Sequence, residues 1–433
     1  LGDVYKRQFI PFAGIIIILV SIFDFVSGST NLALAIVLAS CTCLLSLLNI
    51  ITNYGGRFTL SSSLISYTIA TQFGLVIPYF IFGDIATADY SDWTLYFLDS
   101  KLLTSAVLLG CIGISSFEIG RYFACKIPSV HYSNIVSEDK LNTRLPLLML
   151  LAVFLYFAIN ILTGGMALFG TYEMYCNSDA YNSSLYPYIL ILFYIATIYL
   201  TVAGSIKENK LPWIIWSVIV VIFAVNGNKG EFLYALLSAL GVKGVQGLRI
   251  SKKMVVGGLL LIFVVIPSIT SLRDVGIAGN LNSVSFNQFG AFAEMGMQIR
   301  TTVYSLESLQ TGEISYLNGA SYWQPIVNIL TPFMEHNVAT GAIRKLFPGY
   351  GFNQVIESYL NFGVFGPILF FGLLGFYLSK NENSVSSQYK LAFLGSMTTV
   401  LINASRNYFV FVPGQVLICY FVYLIAKRTS KTL

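Results

Sequence analysis

Long apolar runs, each ended by a short polar connection, occupy most of this chain. A helix needs about 20 consecutive apolar residues to cross a bilayer. Twelve stretches approach that length: residues 9–27, 31–51, 62–82, 102–120, 145–163, 186–206, 211–226, 230–246, 254–272, 361–379, 391–406 and 407–426. The seventh and eighth are short, and Asn226–Gly230 joins them tightly, which suits either two spans or a re-entrant hairpin. The pattern predicts an all-α, polytopic integral membrane bundle of eleven or twelve transmembrane helices.

The longest polar interruption covers residues 273–360. Within it Phe286, Phe289, Phe292, Met295, Ile299, Val303, Leu306 and Leu309 recur every three or four residues. That spacing predicts one amphipathic helix, lying on the membrane surface or packed on the bundle, with Arg300 and Glu307 on its other face. Tyr322-Trp323 ahead of Pro325 predicts an interfacial anchor. Residues 328–333 and 341–347, before the breaker Pro348–Gly351, predict short helices dipping toward the membrane. Residues 1–8 differ in character from the rest of the chain and are read as a non-native or truncated stretch. The expected division is then an N-terminal bundle over 9–272, a large extracytoplasmic loop over 273–360, and C-terminal helices with a cytoplasmic tail over 361–433.

Composition agrees with a membrane protein: 56% of residues are hydrophobic and 10% charged, where soluble domains carry about 25% charged residues. The net charge of +5 does not point to nucleic acid, because the cations follow the positive-inside rule. With Lys427, Arg428 and Lys431 inside, alternation puts eighteen of the 25 Lys and Arg on the cytoplasmic side. The seven outside are Lys101, Lys229, Arg273, Arg300, Arg344, Lys345 and Arg406. Cys41, Cys43, Cys111 and Cys419 lie in apolar stretches and Cys125 at a cytoplasmic end. Cys176 has no partner in its outer loop, so no intrachain disulfide is expected. No Cys/His spacing resembles a zinc site.

Outer loops ordinarily lack cations, so arginines kept there suggest an anionic, lipid-attached substrate. The planar fork of arginine clamps phosphate through two parallel bonds. Arg273, in Ser271–Asp274, is such a clamp or a cation snorkelling beside Asp274. Arg300 is a second clamp or an exposed partner of Glu307. Arg344 sits on a short predicted helix, and Arg406 ends a span with almost no loop to solvate it, which turns it toward the protein interior. Lys229 at the hairpin tip opposes the helix dipole unless an anion is shared; otherwise it contacts Glu231. His336 and Glu357 are candidate general bases, since burial can tune either toward neutrality. Their plain alternatives are a solvated loop histidine and a carboxylate at a helix N-terminus. Asp89 and Asp92 read as part of an ordinary acidic loop, not as a metal site. Only Asp24 is a clear intramembrane charge, Glu118 being offset by Arg121 three residues on, and so few buried ionisable groups weigh against proton-coupled transport.

The layout resembles the bacterial O-antigen and oligosaccharide repeat-unit polymerases of the Wzy type. The resemblance rests on the hairpin Asn226–Phe232, the outer loop from Arg273, and Gly349-Tyr-Gly-Phe followed by Glu357–Gly366. It implies a membrane glycosyltransferase (GT-C-like) fold and glycosyl transfer outside the cytoplasmic (inner) membrane. The substrate implied is an undecaprenyl-diphosphate-linked oligosaccharide within the lipid bilayer. A chain-length regulator and a flippase of the same pathway are the implied partners, with no nucleic acid. No cofactor is expected. Arg273 and Arg344 carry over as diphosphate ligands, Arg300, Arg406 and Lys229 as further ones, and His336 or Glu357 as the catalytic base. An O-antigen ligase would share this layout. A lipid-linked oligosaccharide flippase, the rival from another class, should show pseudo-symmetric halves, which the sequence lacks.

Overall fold

The computed structural model describes residues 2–87, 92–125, 141–164, 172–204, 210–275, 287–331, 333, 334, 338–346, 349 and 351–429. They are helical almost throughout. Seven helices are long and apolar enough to cross a membrane: Phe9–Val26, Leu32–Thr52, Leu102–Cys125, Arg144–Thr163, Tyr186–Ala203, Lys252–Thr270 and Phe409–Thr429. An eighth crossing is counted if Leu60–Phe73 and Val76–Thr87, bent by 48°, form one broken span. The protein is therefore a polytopic helical membrane protein. The other apolar stretches also form helices, and Lys210–Val225 is a shorter apolar one.

The chain divides into two compact units, neither of them continuous in sequence. The first comprises Leu1–Val130, Phe292–Ser384 and Val400–Leu417. Its membrane helices are α1 (Gly2–Val26), α2 (Leu32–Thr52), α3 (Leu60–Phe73), α4 (Val76–Phe82) and α5 (Leu102–Cys125). Helix α5 is buried along almost its whole length, so it needs no polar face, and its uniform apolar run follows. A later helix, Phe365–Asn383, lies directly on it. A Cβ on Gly120 would stand 2.1 Å from the Gly372 carbonyl, and one on Gly375 would stand 2.3 Å from the Phe117 carbonyl. Small residues at those positions let two backbones touch, the packing that substitutes for hydrophobic drive inside a bilayer.

One end of α5 holds a buried polar cluster. Arg121 and Glu118 pair at 2.9 Å with both side chains fully enclosed, as their three-residue spacing in the sequence anticipates. Arg121 also donates to Ser61 at 3.1 Å and Ser62 at 2.7 Å, and lies 4.5 Å over the Tyr54 ring. Glu382 accepts from Thr59 and from the Ser61 amide and hydroxyl. Every charged group in this cluster is thus hydrogen-bonded, as burial requires.

The second unit comprises His131–Ala291, Val385–Thr399 and Ile418–Leu433. It contains α6 (Arg144–Gly164), α7 (Tyr186–Ala203), α8 (Lys210–Val225) and α9 (Lys229–Val245). Next come α10 (Lys252–Leu260) and α11 (Ile266–Val275), joined by one π-helical turn over Leu261–Val265. Helix α7 is central. Its Phe193 meets Phe223 at 5.1 Å, Phe223 meets Phe157 at 5.3 Å, and Trp216 donates to Thr197 at 2.9 Å.

The segment expected to be one amphipathic helix is two: α12 (Gly290–Gly296) and α13 (Ile299–Thr311). The chain breaks where residue 296 packs against the α3–α4 bend, since a Cβ there would stand 2.0 Å from Leu75 N. Helix α13 does bury Ile299, Val303 and Leu306, so of the two placements its stripe packs on protein. Residues 320–330 form a single helix, α14 (Ala320–Leu330), which takes in both the expected anchor and the start of the expected helix at 328. Its Trp323 is 53% exposed, but Tyr322 is half-buried, stacked on Phe370 at 5.3 Å. Beyond it lie α15 (Gly341–Leu346), α16 (Gln354–Phe362), α17 (Phe365–Asn383), α18 (Gln388–Ala404) and α19 (Val412–Thr429).

Candidate functional site

In the first unit, the stretch between α15 and α16 docks onto the connection between α18 and α19. Phe352 donates its amide to the Arg406 carbonyl at 3.1 Å, and its ring stacks on Tyr408 at 4.6 Å. Gln354 donates to the carbonyls of Ala404 at 3.2 Å and Asn407 at 3.1 Å. Gly351 makes this approach feasible: its φ is +71°, and a Cβ would lie 2.3 Å from the Arg406 carbonyl. Residues some fifty positions apart are thereby joined, and three of the residues expected from the sequence come together.

Arg344, in the last turn of α15, is exposed. Its guanidinium lies 5.8 Å from the Tyr408 ring centre and 5.6 Å from that of Phe411. The two rings lie within cation–π reach of an arginine at the surface. Arg406 is half-buried, and its carbonyl anchors Phe352. Glu357, in the first turn of α16, is fully buried. Its Oε2 accepts from the Phe409 amide at 2.9 Å and from Gln354 at 3.4 Å. The Ser321 hydroxyl also acts on the carboxyl as a hydrogen-bonding neighbour. Burial pushes the carboxyl up to about 7, and the Phe409 amide holds it from rising further. Tyr322 lies close enough that the Glu357 charge, added to burial, drives its hydroxyl well above the usual range.

Asn353 ties Arg300 to this neighbourhood. It caps α16 by accepting from the Val355 and Ile356 amides, each at 3.1 Å, the ordinary role of asparagine before a helix. Its amide group meanwhile donates to the Gln298 carbonyl and to the hydroxyls of Thr301 and Thr302. The N-terminus of α13, where half-buried Arg300 sits, is therefore bonded to the N-terminus of α16.

Lys229 and Arg273 belong to the second unit. Lys229 is the first residue of α9 and is buried, not exposed at a hairpin tip. Its ammonium donates to the Thr270 hydroxyl. Thr270 lies on α11, so Lys229 reaches the helix whose sequence also carries Arg273. The Arg273 side chain, His336 and Asp89 lie outside the described residues. Among the described residues no group of three or more His, Cys, Asp or Glu is placed to hold a metal ion. Sequence reasoning overlooked Asn353, Gln354 and Tyr408, and read Tyr322 only as part of an interfacial anchor. Only Asn353 carried a signal, an N-cap residue type immediately ahead of an apolar helix.

Over residues 9–431 the chain matches the profile described as O-antigen polysaccharide polymerase Wzy. It belongs to that family. Protein CapE of Staphylococcus aureus is 27% identical over 427 residues, which cover 95% of this chain and 94% of that protein. No solved structure matches. The chain is thus a Wzy-family polymerase, a glycosyltransferase that joins O-antigen or capsule repeat units, and its substrate is a lipid-linked repeat unit.

Proposed function

We propose that this polymerase joins repeat units carried on undecaprenyl diphosphate at the outer face of the cytoplasmic membrane. Eleven or twelve spans, a cytoplasmic C-terminus and an extracytoplasmic 273–360 segment satisfy the charge count. In this reading the bundle is 9–272, the C-terminal helices begin at 361, and the fold is of the GT-C-like membrane glycosyltransferase kind. A chain-length regulator and a flippase would serve the same pathway.

A hydroxyl of the acceptor unit attacks the anomeric carbon of the donor glycan. The carbon–oxygen bond to the diphosphate breaks, and the lipid diphosphate leaves with the electron pair. Arg344 and Arg273 bind the diphosphate and stabilise its growing charge, with Arg300, Arg406 and Lys229 in support. A base takes the hydroxyl proton, a contribution of about 10²- to 10⁴-fold. Glu357, with its carboxyl at about 7, suits that role at neutral pH, and His336 is the other candidate. The observation that carries this reading is the docking of residues 351–357 on 404–409, which gathers Arg344, Arg406 and Glu357 on one piece of the fold.

The test mixes purified protein with undecaprenyl-diphosphate-linked repeat units of the cognate glycan and resolves the products. The expected result is a glycan ladder from wild type and none from a folded Arg273→Ala, Arg344→Ala double variant. A protein that makes no ladder but carries the lipid-linked unit across proteoliposome membranes would overturn the reading in favour of a flippase.

A further inference from the structure

The first unit contains a cavity of about 820 Å³ that the proposed transfer chemistry does not use. Ligand pockets run to roughly 300–1,000 Å³. Phe25, Lys101, Ser105, Gln310, Tyr316 and Tyr359 contribute to its walls. Tyr359 is two residues from Glu357 on α16, which at 3.6 residues per turn sets the two on opposite faces. The cavity is thus on the far side of α16 from the buried carboxylate.

Its chemistry is mixed in a particular way. The Tyr316 and Tyr359 hydroxyls approach to 3.3 Å with ring centres 6.0 Å apart, and Phe25 stands edge-on to Tyr359 at 5.6 Å. Tyr316 is 46% exposed, so its ring is open to a ligand. Around these rings stand three serine hydroxyls, a threonine hydroxyl, a glutamine amide and one ammonium, and no acidic side chain occurs among the described lining residues. A lipid tail gains nothing from these polar groups, which it would leave unpaired. A diphosphate calls for more than one cation. A sugar ring has an apolar C–H face to lay on an aromatic ring and a rim of hydroxyls that both donate and accept, which hydroxyl and amide side chains can match. Gln310 is ten residues along α13 from Arg300, about 15 Å at the helical rise. That places the Gln310 wall of the cavity well away from Arg300.

We propose that this cavity is a saccharide subsite, holding sugar residues of a repeat unit remote from its diphosphate. The proposal rests on the polymerase reading for the origin of the sugar, but its test does not depend on turnover. The full chain in nanodiscs would be titrated calorimetrically with the lipid-free repeat-unit oligosaccharide released from the cognate polymer. Wild type and Glu307→Gln, an exposed change on the same helix outside the cavity, should bind equally. Tyr316→Ala and Gln310→Ala should each weaken binding about tenfold, roughly one hydrogen bond or ring contact. With lipid-linked substrate, the same two variants should lose activity mainly through a raised KM. No binding of the lipid-free oligosaccharide to wild type, or equal binding by all four proteins, would overturn the subsite. Tyr316-dependent binding by a protein that makes no ladder would uphold the subsite and remove the polymerisation mechanism instead.

Discussion

Replacing Glu357 by glutamine separates its two expected effects, because they have opposite signs. The folded carboxyl titrates near 7 against an ordinary 4.5, a displacement equivalent to about 3 kcal/mol. Between those values the folded protein holds a proton that the unfolded chain has released. Stability must therefore fall as pH rises from 4.5 to 7 and then level off. Glutamine is neutral at every pH and still offers an oxygen to the Phe409 amide, which Glu357 accepts at 2.9 Å. At pH 8 the variant should be more stable than wild type by up to about 3 kcal/mol, while at pH 4.5 the two should match. Activity should move the other way. If Glu357 is the base, wild-type polymerisation rises through pH 7, and the variant loses both that limb and about 10²- to 10⁴-fold in rate. The assay is paired: thermal inactivation in detergent at several pH values, and initial ladder formation over the same range. A variant that keeps the limb near pH 7 would refute Glu357 as the base. Equal pH dependence of stability in both proteins would refute the perturbed carboxyl itself.

Arg121→Ala should destabilise the protein by about 3–5 kcal/mol, because it leaves Glu118 and Glu382 buried without a cation; Arg121→Met with Glu118→Met should recover the part due to Glu118 and leave the part due to Glu382. Additive single and double effects in detergent unfolding would show that the 2.9 Å ion pair carries no coupling. Gly351→Ala must accommodate both a left-handed backbone and a Cβ 2.3 Å from the Arg406 carbonyl. It should cost at least about 2 kcal/mol and reduce ladder formation, and an unchanged protein would mean that this docking does not organise the site.

The helices predicted from hydropathy alone are accurate wherever the only requirement is to be long and apolar. Stretches 9–27, 31–51 and 145–163 appear as Phe9–Val26, Leu32–Thr52 and Arg144–Thr163. Bends escape such a reading, because an apolar run has the same composition on both sides of one. The stretch 62–82 turns by 48° beyond Phe73, at Gly74, where a hydropathy average registers no change. The amphipathic stripe fails differently. Its period survives the break at Gly296, and the cause of the break is Leu75, more than two hundred residues earlier in the chain.

The candidate residues were legible as types but not as a constellation. Charge counting singled out Arg344 and Arg406 because a cation outside the membrane needs a reason to be there. Nothing local reveals that a backbone bond from Phe352 to Arg406 brings their segments together. Glu357 carries the strongest signal of all, and it becomes readable only with burial. Residues Gln354 to Asn361 are all buried, so α16 has no wet face. A glutamate near the start of a helix with a wet face would be an ordinary dipole-complementing charge. In a helix buried all round, the same glutamate keeps a net cost to ionisation of about 3 kcal/mol even with the Phe409, Ser321 and Gln354 hydrogen bonds in place. A cost of that size at a position where glutamine could make the same bond to Phe409 argues for a group retained for its proton.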